Sequence, residues 1–171
     1  RATLFLTGLW MEQYPQITRE LAADPHFELG THSWSHRGFT PNCFGLGTVA
    51  PEEMDGEVTR AVALLDELDA HATRWFRFPG GCYDDSVLRR TAPAGVTAIG
   101  LGVFSGDGGA ASPRAIVDEV LAAVRPGSVV TLHMHGGPLV PFTAPAIEAI
   151  VPALRARGYE LVTVTELLAQ R

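Results

Sequence analysis

Strand-like and helix-like segments alternate along the whole chain, and that alternation limits the fold more than any other feature. Candidate strands are Thr3–Leu6, Phe27–Gly30, Trp75–Phe78, Thr97–Val103, Ser128–His133 and Glu160–Val164. Helical patterns lie between them. Pro15 to Ala23 opens on Pro and spaces Ile17 and Leu21 four apart. Glu52 to Leu68 puts Met54, Val58, Val62, Leu65 and Leu68 on one face, with Glu52 and Glu53 in its first turn, where the helix dipole favours carboxylates. Ser112 is an N-cap before Pro113; Ile116, Val117, Val120, Leu121 and Val124 follow, and Pro126-Gly127 ends the run. Thr143 to Arg157 is a further helix ending at Gly158, with Pro152 expected to bend it. Glu166–Gln170 closes the chain as a short helix. This order implies an α/β fold: a mainly parallel sheet with helices outside, either doubly wound or most of a barrel.

The 171 residues suit one domain able to bury a real core. At 46% hydrophobic and 19% charged, the composition excludes a disordered or collagen-like chain. No apolar run approaches the roughly 20 residues that span a bilayer. The net charge of −6 argues against a nucleic-acid partner, whose binding depends on basic surfaces. The first residue is Arg1, not Met, and Ala2 to Leu6 runs at once into an apolar strand. The expectation is that a preceding segment has been removed, inside a domain.

Polar residues gather just after strand ends: Thr7, His32, Arg77, Asp107 and His133. In α/β sheets and barrels that face carries the active site. His32-Ser33-Trp34-Ser35-His36 places two imidazoles four apart, a spacing that lets both reach one metal ion. It is not the metalloprotease helix, because Ser33 stands where that motif needs Glu. Arg77-Phe78-Pro79-Gly80-Gly81 combines a permanent cation that can fork onto a carboxylate with glycines that let backbone approach a substrate. His133, at the end of a buried strand, is placed for acid or base work, with Asp107 able to orient it and raise its pKa; His135 reads as a loop residue. Gly100-Leu101-Gly102 lacks the third glycine of a dinucleotide loop.

Taken in order, these pieces resemble the NodB-type polysaccharide deacetylases, carbohydrate esterase family 4, over essentially all of the chain. Ala2 to Gly8 looks like the family's Ala-Thr-Phe-Phe-Val-Thr-Gly strand. His32 to His36 looks like its metal-binding His-Ser-x-x-His, and Arg77 to Gly81 is similar to Arg-x-Pro-x-Gly. Pro126 to His133 matches the run into its catalytic His, and Gly158 to Leu168 its closing strand and helix. The resemblance implies a distorted (β/α) barrel and a metal-dependent hydrolase that removes N- or O-acetyl groups from a glycan such as peptidoglycan, chitin or xylan. His32 and His36 would hold a divalent ion, zinc before cobalt, nickel or manganese. Arg77 would orient the general base, the Gly80 N–H would help stabilise the oxyanion, and His133, partnered by Asp107, would protonate the leaving group.

The family's Asp pair, one a metal ligand and one the general base, lies one βα unit before the strand at which this chain starts. The expectation is a single catalytic domain, N-terminally incomplete, with its third metal ligand upstream of Arg1 and little activity by itself. In the fourth motif Asp107 is kept, but Gly108 replaces the closing Trp, which implies a more open His133 pocket. Cys43 and Cys82 follow neighbouring strands on the same face and are expected to pair, which would fit an exported or cell-wall protein. Two reduced thiols, or Cys43 as a substitute metal ligand, are the other readings. Trp34, Phe39, Phe44 and Tyr83 share these loops and could stack on sugar rings. The expected protein is a monomer with a glycan partner. Its rivals are a non-catalytic glycan binder, a deacylase of small N-acyl substrates, and a serine hydrolase built from Ser105, His133 and Asp107.

Overall fold

Strand β1 (Ala2–Leu6) runs parallel to β2 (Phe27–Thr31), with Leu6 opposite Thr31. Parallel neighbours need a long crossover, and two helices fill it: α1 (Gly8–Gln13) and α2 (Pro15–Ala23). The Thr7 hydroxyl accepts the Trp10 N–H and starts α1, a helix the sequence reading does not resolve. The chain continues through α3 (Met54–Leu68) to β3 (Trp75–Phe76), then through α4 (Asp85–Thr91) to β4 (Thr97–Ala98). These four strands form one parallel sheet in the order β1-β2-β3-β4. The computed structural model describes residues 1–69, 71–134 and 140–170, and the sheet and its helices belong to a first compact unit, Arg1–Gly100.

Helix α3 shows why this unit packs. Met54, Val58, Ala61, Leu65 and Leu68 are buried at three- and four-residue spacing, so one stripe of the helix faces inward. That stripe joins two cores. One gathers Phe39, Val49, Phe76, Phe78 and Val87 around Met54 and Val58; the other gathers Leu6, Met11 and Leu29 around Ala61, Leu65 and Leu68. Val62, expected on the same face, is only partly buried. Glu52 and Glu53 lie in a 3-10 turn ahead of the helix and not in its first turn.

The second unit, Leu101–Arg171, carries the parallel pair β5 (Val103–Phe104) and β6 (Val130–Thr131). Helix α5 (Pro113–Ala123) starts where expected, with the Ser112 hydroxyl accepting the Ala115 N–H. Helix α6 (Thr143–Ala156) packs on it through Ile116, Val120, Val124, Ala146, Ile150 and Leu154. Pro152 lies inside α6, where it has no N–H to give to the Glu148 carbonyl. Helix α7 is Val164–Ala169, capped by the Thr163 hydroxyl and the Glu166 carboxylate.

Two expected strands are corrected. Thr97–Val103 is not one strand: β4 ends at Ala98 and β5 begins at Val103, in a different sheet. Gly100 and Gly102 interrupt the run, and a Cβ at Gly102 would lie 2.7 Å from the Val129 carbonyl oxygen. The Glu160–Val164 segment is not a strand: 160–163 carries no assigned strand, and Val164 is drawn into α7 by the Thr163 cap. No described helix is long and apolar enough to cross a membrane.

Candidate functional site

The carboxyl ends of β2 and β3 set the first cluster. The parallel ladder carries on past the end of β3, with the Arg77 N–H donating to the Thr31 carbonyl at 3.0 Å. His32 therefore lies beside Arg77, and its Nδ1 donates to the Arg77 carbonyl at 2.7 Å. A carbonyl can only accept, so the proton is on Nδ1 and the lone pair is on Nε2. The loop then turns sharply: Ser33 and His36 both take positive φ, +64° and +63°. The Ser33 hydroxyl accepts the His36 N–H at 3.1 Å.

The two imidazoles meet edge to face, with ring centroids 5.0 Å apart and planes at 67°. Two imidazoles binding one zinc-type ion at about 2.0–2.1 Å, at a near-tetrahedral angle, have centroids about 5 Å apart. His32 and His36 thus fit two positions of such a site. Among the described residues no group of three His, Cys, Asp or Glu side chains is placed to hold a metal.

A residue the motif reading missed supports this loop from below. Glu57, on the buried face of α3, is only 6% exposed. Its Oε2 accepts the backbone N–H of Trp34 at 3.1 Å and of Ser35 at 2.8 Å. Its Oε1 accepts the Ser35 hydroxyl at 2.8 Å and Arg37 Nη2 at 3.2 Å. These donors hold the carboxyl below its usual range against the opposing effect of burial. The available signal was Glu57 in register with Met54 and Ala61 on an apolar face.

Arg77 is buried, and its guanidinium lies 4.7 Å from the centroid of the Phe5 ring and donates to the Gly100 carbonyl. Burial lowers its pKa, but from so high a start that it stays charged. Gly80 has φ +63°, and a Cβ there would collide with Cys43 Sγ, so the position admits only glycine. The hydrogen bonds of its turn run from Gly81 N to the Phe78 carbonyl and from Cys82 N to the Pro79 carbonyl; Gly80 gives its N–H to neither. Cys43 and Cys82 form a disulfide, with Cα atoms 6.0 Å apart, so Cys43 is not a thiolate metal ligand.

The aromatic residues separate by environment. Phe39 is buried edge-on to Phe76 and Phe78 and belongs to the core. Trp34 is already engaged: its ring packs on Gly8, where any Cβ would collide with it, and the Arg60 guanidinium lies 3.9 Å from its centroid. The ring is nonetheless only half-buried. Tyr83 leans on Phe78 at 5.0 Å and keeps an exposed edge. Phe44 is 78% exposed.

The second cluster follows β5 and β6. Asp107 is buried and fully committed. Its Oδ1 faces His133 Nδ1 at 2.7 Å and accepts the Ser105 hydroxyl at 3.1 Å. Its Oδ2 accepts the His133 N–H and the Thr143 hydroxyl, each at 2.7 Å. These bonds hold the carboxyl far below its ordinary range, and the same carboxylate raises the His133 pKa against partial burial. Thr143, at the start of α6, lies outside the motifs that the sequence shows. The His133 side chain is 45% exposed, with Nδ1 turned to Asp107 and Nε2 on the other side of the ring. Gly108 lies against it: a Cβ there would be 3.3 Å from Cε1. Ser105 is buried and gives its hydroxyl to Asp107, not to His133, which removes the serine-hydrolase reading. His135 lies outside the described residues.

These two clusters have the residue types and strand-end positions of the deacetylase motifs. The sequence profile of the polysaccharide deacetylase family matches residues 1–99, more than half of the chain. The chain belongs to the polysaccharide deacetylase family. This deacetylase family member is 32% identical over 167 residues to a chitooligosaccharide deacetylase of Sinorhizobium fredii, covering 92% of this chain and 74% of that protein. Its fold superposes on a family 4 acetyl xylan esterase from Clostridium thermocellum, solved with a cobalt ion, with a TM-score of 0.83, 24% identity, and coverage of 98% and 77%. It also superposes on a family 4 pseudoenzyme from Bacillus anthracis, with a TM-score of 0.82 and 22% identity. There it covers 97% of this chain but only 54%, about half, of that one. The α/β fold with parallel sheets is therefore that of the deacetylases, a family of hydrolases acting on amide or ester bonds.

Proposed function

We propose that this protein is a metal-dependent deacetylase that removes N- or O-acetyl groups from an extracellular glycan of the chitin, peptidoglycan or xylan type. The observation that carries the reading is the imidazole pair after β2, with centroids 5.0 Å apart and His32 Nδ1 committed to the Arg77 carbonyl. Zinc is the proposed ion, with cobalt, nickel or manganese as substitutes, and His32 and His36 are two of its ligands. When bound, it would polarise the acetyl carbonyl and lower the pKa of a water molecule.

The chain's own residues supply the rest. The Arg77 carbonyl keeps His32 in the tautomer that ligates, and the Arg77 guanidinium offers a fixed charge to orient a carboxylate base. The Gly80 turn lets backbone N–H approach the acetyl oxygen as negative charge develops there. His133 is held by Asp107 through Nδ1, so the proton for the departing amine or alcohol leaves from Nε2. The raised pKa of His133 keeps that proton available near neutral pH. Tyr83 and the exposed Phe44 are the proposed glycan contacts. The disulfide supports export, since such bonds persist in oxidising compartments, and we propose a monomer.

The test is acetate release from N-acetylated chitooligosaccharide, N-acetylated peptidoglycan and acetylated xylan, with bound metal quantified in parallel. Chelation and His32→Ala with His36→Ala should each abolish both metal content and release. Glycan binding without release, at saturating metal, would make the protein a non-catalytic glycan binder.

A further inference from the structure

We infer that Glu57 is a positioning residue for the imidazole pair, setting metal affinity through the loop that joins His32 to His36. The inference rests on the proposed metal site and adds to it a residue outside the motifs. His32 and His36 reach their places by different means. His32 continues the β2 ladder and is tied to the Arg77 carbonyl. His36 is placed only after the chain has turned through Ser33 and His36 at positive φ. Each such non-glycine residue is strained and persists only when its surroundings over-determine it.

The over-determination comes from one carboxylate. Glu57 takes both backbone N–H groups at the centre of the loop, those of Trp34 and Ser35, and the Ser35 hydroxyl as well. Arg37, one residue past His36, closes the set by donating to Glu57 Oε1 while also pairing with Glu53 at 3.1 Å. Four charge-assisted bonds converge on a group that a hydrophobic face would otherwise reject. A Glu on that face costs stability unless its oxygens are satisfied, and the donors that satisfy them span the two imidazoles. The rest of the loop is aligned with this: the Ser33 hydroxyl accepts the His36 N–H, so fixing residues 34 and 35 fixes where the second imidazole projects.

The experiment is cobalt(II) titration of the purified protein, with cobalt alone as the probe, followed by calorimetry and by the visible absorption of the bound ion. Glu57→Gln keeps the volume but trades a carboxylate oxygen for a donor that repels Arg37 and the Ser35 hydroxyl proton. It should weaken cobalt binding by about tenfold to a hundredfold, as changes behind metal ligands do. The absorption at saturating cobalt should also shift, which a loss of global stability alone would not produce. Ser35→Ala, which removes one of the four bonds and leaves the carboxylate in place, should weaken binding several-fold and covers the case in which Glu57→Gln does not fold. Asp55→Asn, at an exposed neighbour on the same helix, should change neither. Wild-type affinity and spectrum in folded Glu57→Gln, or in Ser35→Ala if that variant alone folds, would overturn this inference alone. A wild-type protein that binds no cobalt would overturn the metal site and this inference with it.

Discussion

The Asp107 carboxylate engages His133 twice, taking its backbone N–H on Oδ2 and facing its ring Nδ1 with Oδ1, each at 2.7 Å. One buried group thereby sets the ring's position, tautomer and basicity together. The Ser105 and Thr143 hydroxyls fill the remaining acceptor sites, so the carboxylate has no reason to take up a proton.

His133→Ala should lower kcat of glycan deacetylation by about 10²–10⁴, the usual contribution of a positioned acid. Asp107→Asn keeps the shape but loses the charge that raises the His133 pKa. The alkaline limb of its pH–rate profile should move to lower pH, which steady-state kinetics between pH 5 and 10 would record. An unmoved limb would separate Asp107 from the titration of His133.

The same pair predicts a window of stability. The His133 pKa is raised from 6.5, so its contribution is complete below about 6.5 and fades as pH climbs through the raised value. The Asp107 pKa is depressed from 3.8, so its contribution is complete above about 3.8 and fades as pH falls below it. Urea denaturation should place the pair's full effect between about pH 4 and 6.5. Asp107→Asn should flatten that part of the profile.

The disulfide closes a loop of 39 residues in sequence separation. In the chain-entropy model such a closure stabilises by about 4 kcal/mol. Cys43→Ser with Cys82→Ser should therefore lower the unfolding free energy by roughly that amount, read by chemical denaturation under non-reducing conditions.

Gly80 and that disulfide are coupled. Gly80→Ala meets both the Cys43 sulfur and a φ of +63°, and should destabilise the protein by about 1–3 kcal/mol. With Cys43→Ser and Cys82→Ser already in place, the collision is relieved and the loss should be smaller. Equal losses in the two backgrounds would mean that backbone conformation alone reserves the position for glycine.

Phe44 stands exposed in the loop between His36 and α3, at φ +48°, with its ring near the Cβ position of Gly80. Phe44→Ala should raise KM for chitooligosaccharides about tenfold, the loss of one stacked ring, with a smaller change in kcat. Phe44→Trp should restore the affinity. Unchanged KM in Phe44→Ala would leave Tyr83 as the aromatic contact.

Much of the site was visible in the sequence because its residues follow strands. His32, Arg77, Asp107 and His133 are each one to three residues past a strand end, and strand ends are marked by local apolar runs. The helices α1 and α4 were missed because they are short, with six and seven residues, and their apolar period hardly repeats. Their caps, Thr7 and Asp84, were the available marks. Thr97–Val103 misled because its pattern is continuous, whereas the chain leaves one sheet and enters another within it.

The sequence by itself determined the order of the α/β units, the motif residues and the family, since these depend on neighbours along the chain. Only the tertiary structure decided what each side chain meets. It assigned the His32 proton through the Arg77 carbonyl, buried Phe39 in the core, packed Trp34 against Gly8 and Arg60, and brought Thr143 to Asp107. Above all it put Glu57, more than twenty residues from the imidazole loop, beneath that loop. Contacts of this kind arise when a helix face docks on a sheet, and no spacing along the chain records which donors will be waiting there.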